Sequence, residues 1–309
     1  MAREEDAART SNLLSNLKPG LYLVATPIGN LGDITLRALD VLRGVDRIAC
    51  EDTRQTQKLL NHFQIEKKTV SYHEHNERAR TTELILDIKA GKAIALVSDA
   101  GTPGVSDPGA WLVSAAIAAG VQVFPIPGAN AAVNALIASG LPADEFKFLG
   151  FLPEKAGARR TKLENLAAHP GETARTLIFY EAPHRLLDTL ADLEYVWGSQ
   201  LRVVVARELT KIHEEFLRGT VAKVQSELAG RDRIRGEVTL LIEAPARSAS
   251  GGGESGAANA KESVSARVAR MQAESGIDEK EALKRVAREL GQSKSEVYRE
   301  LQRERARKR

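Results

Sequence analysis

From Leu21 to Ile126, short aliphatic runs alternate with amphipathic stretches of about three helical turns. Leu21-Tyr-Leu-Val-Ala25 has the length and composition of a buried strand. So do Val45 to Cys50, Thr69-Val-Ser-Tyr72, Ala93-Ile-Ala-Leu-Val97 and Val121 to Ile126. Between them, Asp33 is placed to cap a helix ending at Arg43, with Gly44 beyond it. Thr53 to Phe63 predicts a second helix and Glu77 to Ala90 a third, stopped by Gly91. Asp107-Pro108 reads as an N-cap followed by a first-turn proline, opening a fourth helix that Gly120 closes. Strands and helices in strict alternation imply βαβ units and a mainly parallel sheet.

Past Pro127-Gly128 the rhythm changes. Asn130 to Ser139 predicts a helix and Phe146 to Phe151 a strand, and the polar Glu154 to Arg160 reads as a loop before a helix at Thr161 to Ala168. Strands are expected at Thr176 to Tyr180, Arg202 to Ala206 and Glu237 to Ile242, with a helix at His184 to Val196. The domain plan is therefore a polar arm over 1–17, an α/β domain over 18–128, a second α/β domain over 129–245, and a Gly/Ser/Ala linker over 246–260. A helical segment follows over 261–309. There Ala282, Leu283, Val286, Ala287 and Leu290 recur at helical spacing, Gly291 breaks the chain, and Ser293 with Glu296 forms a capping box. Val297, Tyr298 and Leu301 supply the last apolar face. Helix-turn-helix and plain helical hairpin both fit this pattern.

Composition narrows the class. The 309 residues are 43% hydrophobic and 28% charged, as in ordinary globular domains, and too many for one domain of usual size. The single cysteine, Cys50, excludes a disulfide framework and any multi-cysteine metal site. No apolar run is long enough to span a bilayer. The opening Met1-Ala-Arg-Glu-Glu-Asp6 is acidic and carries no secretory leader, so a reduced, cytoplasmic protein is expected. Charge is unevenly spread. Residues 261–309 hold 14 Lys and Arg against 9 Asp and Glu, whereas the other 260 hold 30 against 32. A nearly neutral body with a basic appendage suits chemistry in one part and a polyanion held by the other.

The candidate chemistry lies at strand ends, where doubly wound sheets bind ligands. Ala25-Thr-Pro-Ile-Gly-Asn-Leu-Gly-Asp33 allows close main-chain approach but matches neither the dinucleotide fingerprint nor the Walker A pattern. Ser98-Asp-Ala-Gly-Thr-Pro-Gly-Val-Ser-Asp-Pro-Gly109 carries more glycine, proline and aspartate than a turn needs. With Pro125-Ile-Pro-Gly-Ala-Asn130, it suggests a main-chain-lined pocket for a small organic cofactor. Cys50-Glu-Asp-Thr-Arg54 follows a buried strand, although Thr53 is also suited to cap the next helix. His73 and His75 would share one face of a strand, yet no third ligand accompanies them and no metal is predicted. Arg207, Glu208, Lys211, His213 and Glu214 crowd one strand end, as a surface ion-pair cluster or as a substrate platform.

Val24 to Thr35, Glu51-Asp-Thr-Arg54, Ser98 to Gly109, Pro127-Gly-Ala-Asn130, Gly150-Phe-Leu-Pro153, Phe179-Tyr-Glu-Ala-Pro-His-Arg185, Ala206-Arg-Glu-Leu-Thr-Lys211 and Gly236-Glu237 occur in that order. The series resembles the tetrapyrrole methylase superfamily, and within it the branch that methylates a cytidine 2′-hydroxyl in 16S ribosomal RNA of the small subunit. The resemblance implies two α/β domains, the first with a mainly parallel sheet and the second with a mixed one, plus a small helical C-terminal domain. It implies S-adenosylmethionine bound between the α/β domains, and a homodimer. By motif, Pro27, Asp99, Ala100, Gly101, Val105, Asn130 and Ala131 would line the cofactor site, with Tyr180 and Glu181 approaching from the second domain. Glu208, Lys211 and Arg54 would stand near the attacked oxygen. Arg54, His73, Arg185, Lys294, Arg299 and Arg303 would contact RNA. Where the superfamily usually has Gly-Asp-Pro, this chain has Ser98-Asp99-Ala100, which speaks against the alternative of a tetrapyrrole or precorrin substrate.

Overall fold

In the computed structural model, β1 (Gly20–Val24), β2 (Arg47–Cys50), β3 (Thr69–Ser71), β4 (Ala93–Val97) and β5 (Val123–Ile126) form one wholly parallel sheet in the order β3-β2-β4-β1-β5. The structure describes residues 17–168, 175–244, 264–275, 278–290, 297–299 and 301–302. Each strand is followed by a helix: α1 (Leu36–Gly44), α2 (Thr53–His62), α3 (Glu77–Lys89), α4 (Ala110–Ala118) and α5 (Ala131–Ser139).

The period-two alternation of side chains decides the layers. Tyr22, Val24, Ile48, Cys50, Ala95 and Val97 pack on one face with Leu39, Leu42 and Leu60 of α1 and α2. Leu21, Ala49, Ile94 and Leu96 pack on the other with Leu84 and Ile88 of α3 and Leu112 of α4. Both faces are covered, which is why these strands read as unbroken aliphatic runs.

The second sheet is mixed. Its strands β6 (Phe146–Phe151), β7 (Thr176–Glu181), β8 (Arg202–Arg207), β9 (Glu215–Thr220) and β10 (Val238–Glu243) run in the order β6-β7-β10-β8-β9. Only β6 and β7 pair in parallel. Leu163 of α6 (Ala156–Ala168), Leu186, Leu190 and Leu193 of α7 (Leu186–Trp197), and Val224 and Leu228 of α8 (Val221–Ala229) cover one face. The other receives Ala132, Ala135 and Leu136 of α5, together with Ile28 and Ala129 from the first sheet's loops. Two compact units result, 1–248 containing both sheets and 249–309. In the second unit, α9 (Val264–Ser275) and α10 (Glu279–Leu290) bury Val268, Ala282, Leu283, Val286 and Ala287 together with Val297 and Leu301. Tyr298, expected on that apolar face, is exposed.

Several expectations change. Thr35, not Asp33, caps α1, because Asn30 first caps a single 3-10 turn at Leu31–Asp33. Asp107-Pro108 opens no helix, since α4 starts at Ala110 behind Gly109. Glu154 to Arg160 is not all loop: α6 already starts at Ala156, where Arg159 is tied to Asp192. The sequence reading passed over β9 and α8. The expected arm to residue 16, the linker and the Ser293–Glu296 capping box lie outside the described residues.

Candidate active site

The antiparallel β10 places its N-terminal end beside the carboxyl ends of β7 and β8. Those ends face the loops that leave β1, β4 and β5. A cavity of about 370 Å³ lies between them, lined by Ile28, Ala100 to Thr102, Val105 to Asp107, Asn130 and Ala131 on one side. Phe151, Tyr180 to Pro183, Ala206, Leu209 and Gly236 to Thr239 form the other.

Hydrogen bonds pre-form the first wall. Thr26 and Gly101 exchange main-chain bonds of 2.9 and 3.0 Å, and the Thr26 hydroxyl donates to the Ser98 carbonyl at 3.1 Å. Thr102 donates to the Ala129 carbonyl at 3.1 Å, and Asn130 donates to Thr102 at 3.3 Å while capping α5. Loops so laced hold their remaining main-chain groups in fixed positions with little entropy left to lose on binding.

Of the residues expected at the cofactor, Ala100, Gly101, Val105, Asn130, Ala131, Tyr180 and Glu181 line this cavity. Pro27 and Asp99 are not among its lining residues. Asp99 instead accepts the Asp52 main-chain N–H at 3.1 Å, fastening the loop after β2 to the loop after β4. Glu181 stands in the wall with its carboxylate consumed. It accepts from Arg185 at 2.6 and 3.0 Å, from Ala182 N–H at 2.8 Å and from the Thr189 hydroxyl at 2.7 Å. Arg185, expected on RNA, donates Nε and Nη2 to Glu181, while its Nη1 is buried without a partner.

Glu208 and Lys211 are brought together at the cavity's edge. The Lys211 ammonium donates to Glu208 at 2.8 Å and to Glu237, a cavity residue, at 3.0 Å. The lysine stem lies across Gly29 of the opposite loop, where any Cβ would collide with it. Glycine at 29 thus lets Lys211 bridge the two halves. Lys211 holds the Glu208 carboxylate below the usual range against the opposing effect of burial. Burial would lower the Lys211 ammonium, but its bonds to Glu208 and Glu237 outweigh that and raise it. Glu208 is accordingly a weak base and Lys211 a fixed cation.

Arg54 does not line this cavity. Its side chain is 86% exposed, paired with Asp52 at 2.9 Å, and borders a separate shallow groove with Thr53, Gln57, Lys58, Asn61 and Thr69. His73 lies beyond the end of β3, with Nε2 3.2 Å from the Asn76 amide and Nδ1 buried without a partner. Its ring centroid is 5.9 Å from that of His75, but in a loop rather than a strand. Among the described residues, no cluster of His, Cys, Asp or Glu could hold a metal. Among the same residues, no helix is long and apolar enough to cross a membrane. Arg299 is exposed, whereas Lys294 and Arg303 lie outside the described residues.

The sequence reading missed Asp107 and Phe151 as cavity residues. Asp107 is half-buried, facing Glu51, Asp99, Ser98 and Tyr180. Burial, then repulsion by Glu51 and Asp99, pushes its carboxyl up to about 6, with the Ser98 hydrogen bond opposing.

Fold and cavity define an α/β enzyme that holds a small organic molecule at the strand ends of two facing sheets. Residues 20–225 match the family described as Tetrapyrrole (Corrin/Porphyrin) Methylases, and the chain belongs to that family. A ribosomal RNA small subunit methyltransferase I from Halalkalibacterium halodurans is 56% identical over 73% of this chain and 76% of its own. One of the same name from Vibrio cholerae is 52% identical over 74% and 78%. Among solved structures, diphthine synthase shares the fold with a TM-score of 0.57 at 16% identity, over 72% of this chain and 89% of its own. Uroporphyrin-III-C-methyltransferase from Thermus thermophilus does so with 0.51 at 22%, over 73% and 94%.

Proposed function

We propose that this protein transfers a methyl group from S-adenosylmethionine to the 2′-hydroxyl of a cytidine in 16S ribosomal RNA of the small subunit, acting as a homodimer in the cytoplasm. The relatives' shared name supports the ribosomal substrate, and the resemblance drawn from the motifs supports the 2′-hydroxyl and the dimer. The observation that carries the chemistry is the cavity itself. Its volume falls in the range of small-molecule sites, about 300–1,000 Å³. Ile28, Val105, Ala131 and Leu209 offer an apolar bed for an adenosine, the Ala100 main chain offers a fixed polar partner, and Glu237 offers negative charge to a sulfonium. The residues present fit the donor.

Bound there, S-adenosylmethionine supplies an electrophilic methyl. The chain must hold a weakly nucleophilic ribose oxygen in line with that methyl and accept its proton. Asp107 is the carboxylate suited to take the proton, since its carboxyl binds protons more tightly than an ordinary aspartate's. Lys211, held by Glu208 and Glu237, stabilises the negative charge that grows on the oxygen. Lys211→Ala is expected to lower kcat about tenfold or more, as for loss of one electrostatic stabiliser, leaving donor affinity within about twofold by calorimetry. Arg54 and His73 receive flanking RNA.

The basic tail, through Lys294, Arg299 and Arg303, grips phosphates of the particle. Deleting residues 246–309 should therefore raise the KM for small subunits, most at low salt, and flatten its dependence on salt, with an unchanged donor Kd. Equal loss of donor binding would contradict the division of labour. The overall reading is tested with labelled donor and purified small subunits, a tetrapyrrole and duplex DNA as acceptors. Label recovered as 2′-O-methylcytidine is expected, and label in the tetrapyrrole alone would sink the proposal.

A further inference from the structure

Phe151 lines the cavity and is 55% exposed, so its ring is open to whatever enters from solvent. Its position comes from a defect in β6. Phe146, Lys147 and Phe148 pair in step with Thr176, Leu177 and Ile178, so regular pairing would set Gly150 opposite Tyr180. Instead Phe151 stands opposite Tyr180, one residue having been inserted between. Gly150 adopts φ +62°, a conformation that glycine enters without the penalty of a side chain. Because side chains alternate, a one-residue slip moves a side chain to the other face of the sheet. Leu149 packs on the helical face with Phe179, and without the bulge Phe151 would join it there. With the bulge, it faces the cavity beside Tyr180, the two ring centroids 5.7 Å apart at 63°, and Phe148 completes the group at 4.9 Å from Tyr180.

The opposite wall is the one built of laced main-chain loops, and together with Leu209 and Glu237 it already provides for the donor. What enters from solvent is a nucleotide whose base must leave its stack for the ribose to reach the methyl. Unstacked RNA bases are held on aromatic faces. Building on the reading of this cavity as a methyltransferase site, we propose that Phe151 is the platform on which the unpaired base of the target nucleotide stacks. It is a positioning residue for the acceptor, and the β6 bulge exists to present it.

The experiment compares Phe151→Ala, Phe151→Leu and Phe151→Trp in the full chain, using purified small subunits as acceptor and calorimetry with S-adenosylmethionine. Loss of a stacking partner should reduce kcat/KM for subunits about tenfold or more in the Ala and Leu variants, with donor Kd within about twofold of wild type. The Trp variant should keep activity near wild type, a rescue that mere space-filling does not predict. Wild-type kinetics in both the Ala and Leu variants would overturn the proposal. So would a matching rise in donor Kd with subunit KM unchanged, which would give the ring to the donor instead. A wild-type enzyme that bound the donor yet methylated no ribosomal particle would overturn the substrate reading beneath it, and this inference with it.

Discussion

Asp107→Asn is expected to lower kcat about a hundredfold or more on small ribosomal subunits while leaving S-adenosylmethionine affinity within a few-fold of wild type. A positioned general base contributes on the order of 10² to 10⁴ in rate, and Asn keeps the shape of the side chain while losing its affinity for a proton. The pH dependence follows from the same group. Its carboxyl is pushed up to about 6 by burial and by Glu51 and Asp99. Wild-type kcat/KM should therefore climb with pH to about 6 and level off above, and Asp107→Asn should lack that limb. Stability moves the other way. The folded chain binds the proton more tightly than the unfolded one, so between the ordinary aspartate pKa and about 6 stability falls as pH rises. Above that window the Asn variant, with no charge to bury, should melt at a higher temperature than wild type. Activity lost together with donor binding would move Asp107 from the base to the cofactor site. An unchanged pH profile in the variant would remove it from the role of base.

Asp107 also shows where the sequence was readable and where it was not. The parallel sheet was legible because both of its faces are buried and aliphatic runs have few other uses. The main-chain-rich wall was legible because Gly101, Gly104 and Gly109 with Pro103 and Pro108 exceed what a turn requires. Asp-Pro, however, reads as the start of a helix, and only the fold shows that Asp107 is drawn against Ser98 instead. The charged run from Arg207 to Glu215 concealed β9, since ion pairs such as Arg207–Glu215, at 2.9 Å, join neighbouring strands whose polar residues gave no alternating signal. Gly236 to Thr239 became cavity residues only because β10 runs antiparallel to its neighbours, a matter of topology that no local pattern carries. Phe151 was hidden for a related reason: the inserted residue at the bulge reverses the face that simple alternation assigns to it.

The largest loss of stability is expected far from the cavity, at Asp192. Arg159 of α6 and Asp192 of α7 are each only 4% exposed at the side chain, with Arg159 Nε donating to Oδ2 at 2.8 Å. Arg160 donates to Oδ1 at 2.8 and 3.1 Å, and its guanidinium lies 4.6 Å from the centre of the Tyr195 ring. Both oxygens of one buried carboxylate are thus engaged by two arginines, which anchors the polar first turn of α6 to α7. Asp192→Ala leaves the Arg159 guanidinium buried without a counter-charge, and breaking a buried pair in this way costs about 3–5 kcal/mol. For a domain of this size each kcal/mol lowers Tm by about 2–4 °C, so a fall of about 10 °C is expected by calorimetry. If the cost is the stranded charge rather than the lost bond, Asp192→Ala combined with Arg159→Met should recover most of it, since an apolar replacement of a buried pair is often nearly neutral. A double variant no more stable than Asp192→Ala would instead place the energy in the Arg160 side of the triad. Below its melting temperature the single variant should still bind the donor with wild-type affinity, because Arg159, Arg160 and Asp192 are not among the residues that line the cavity.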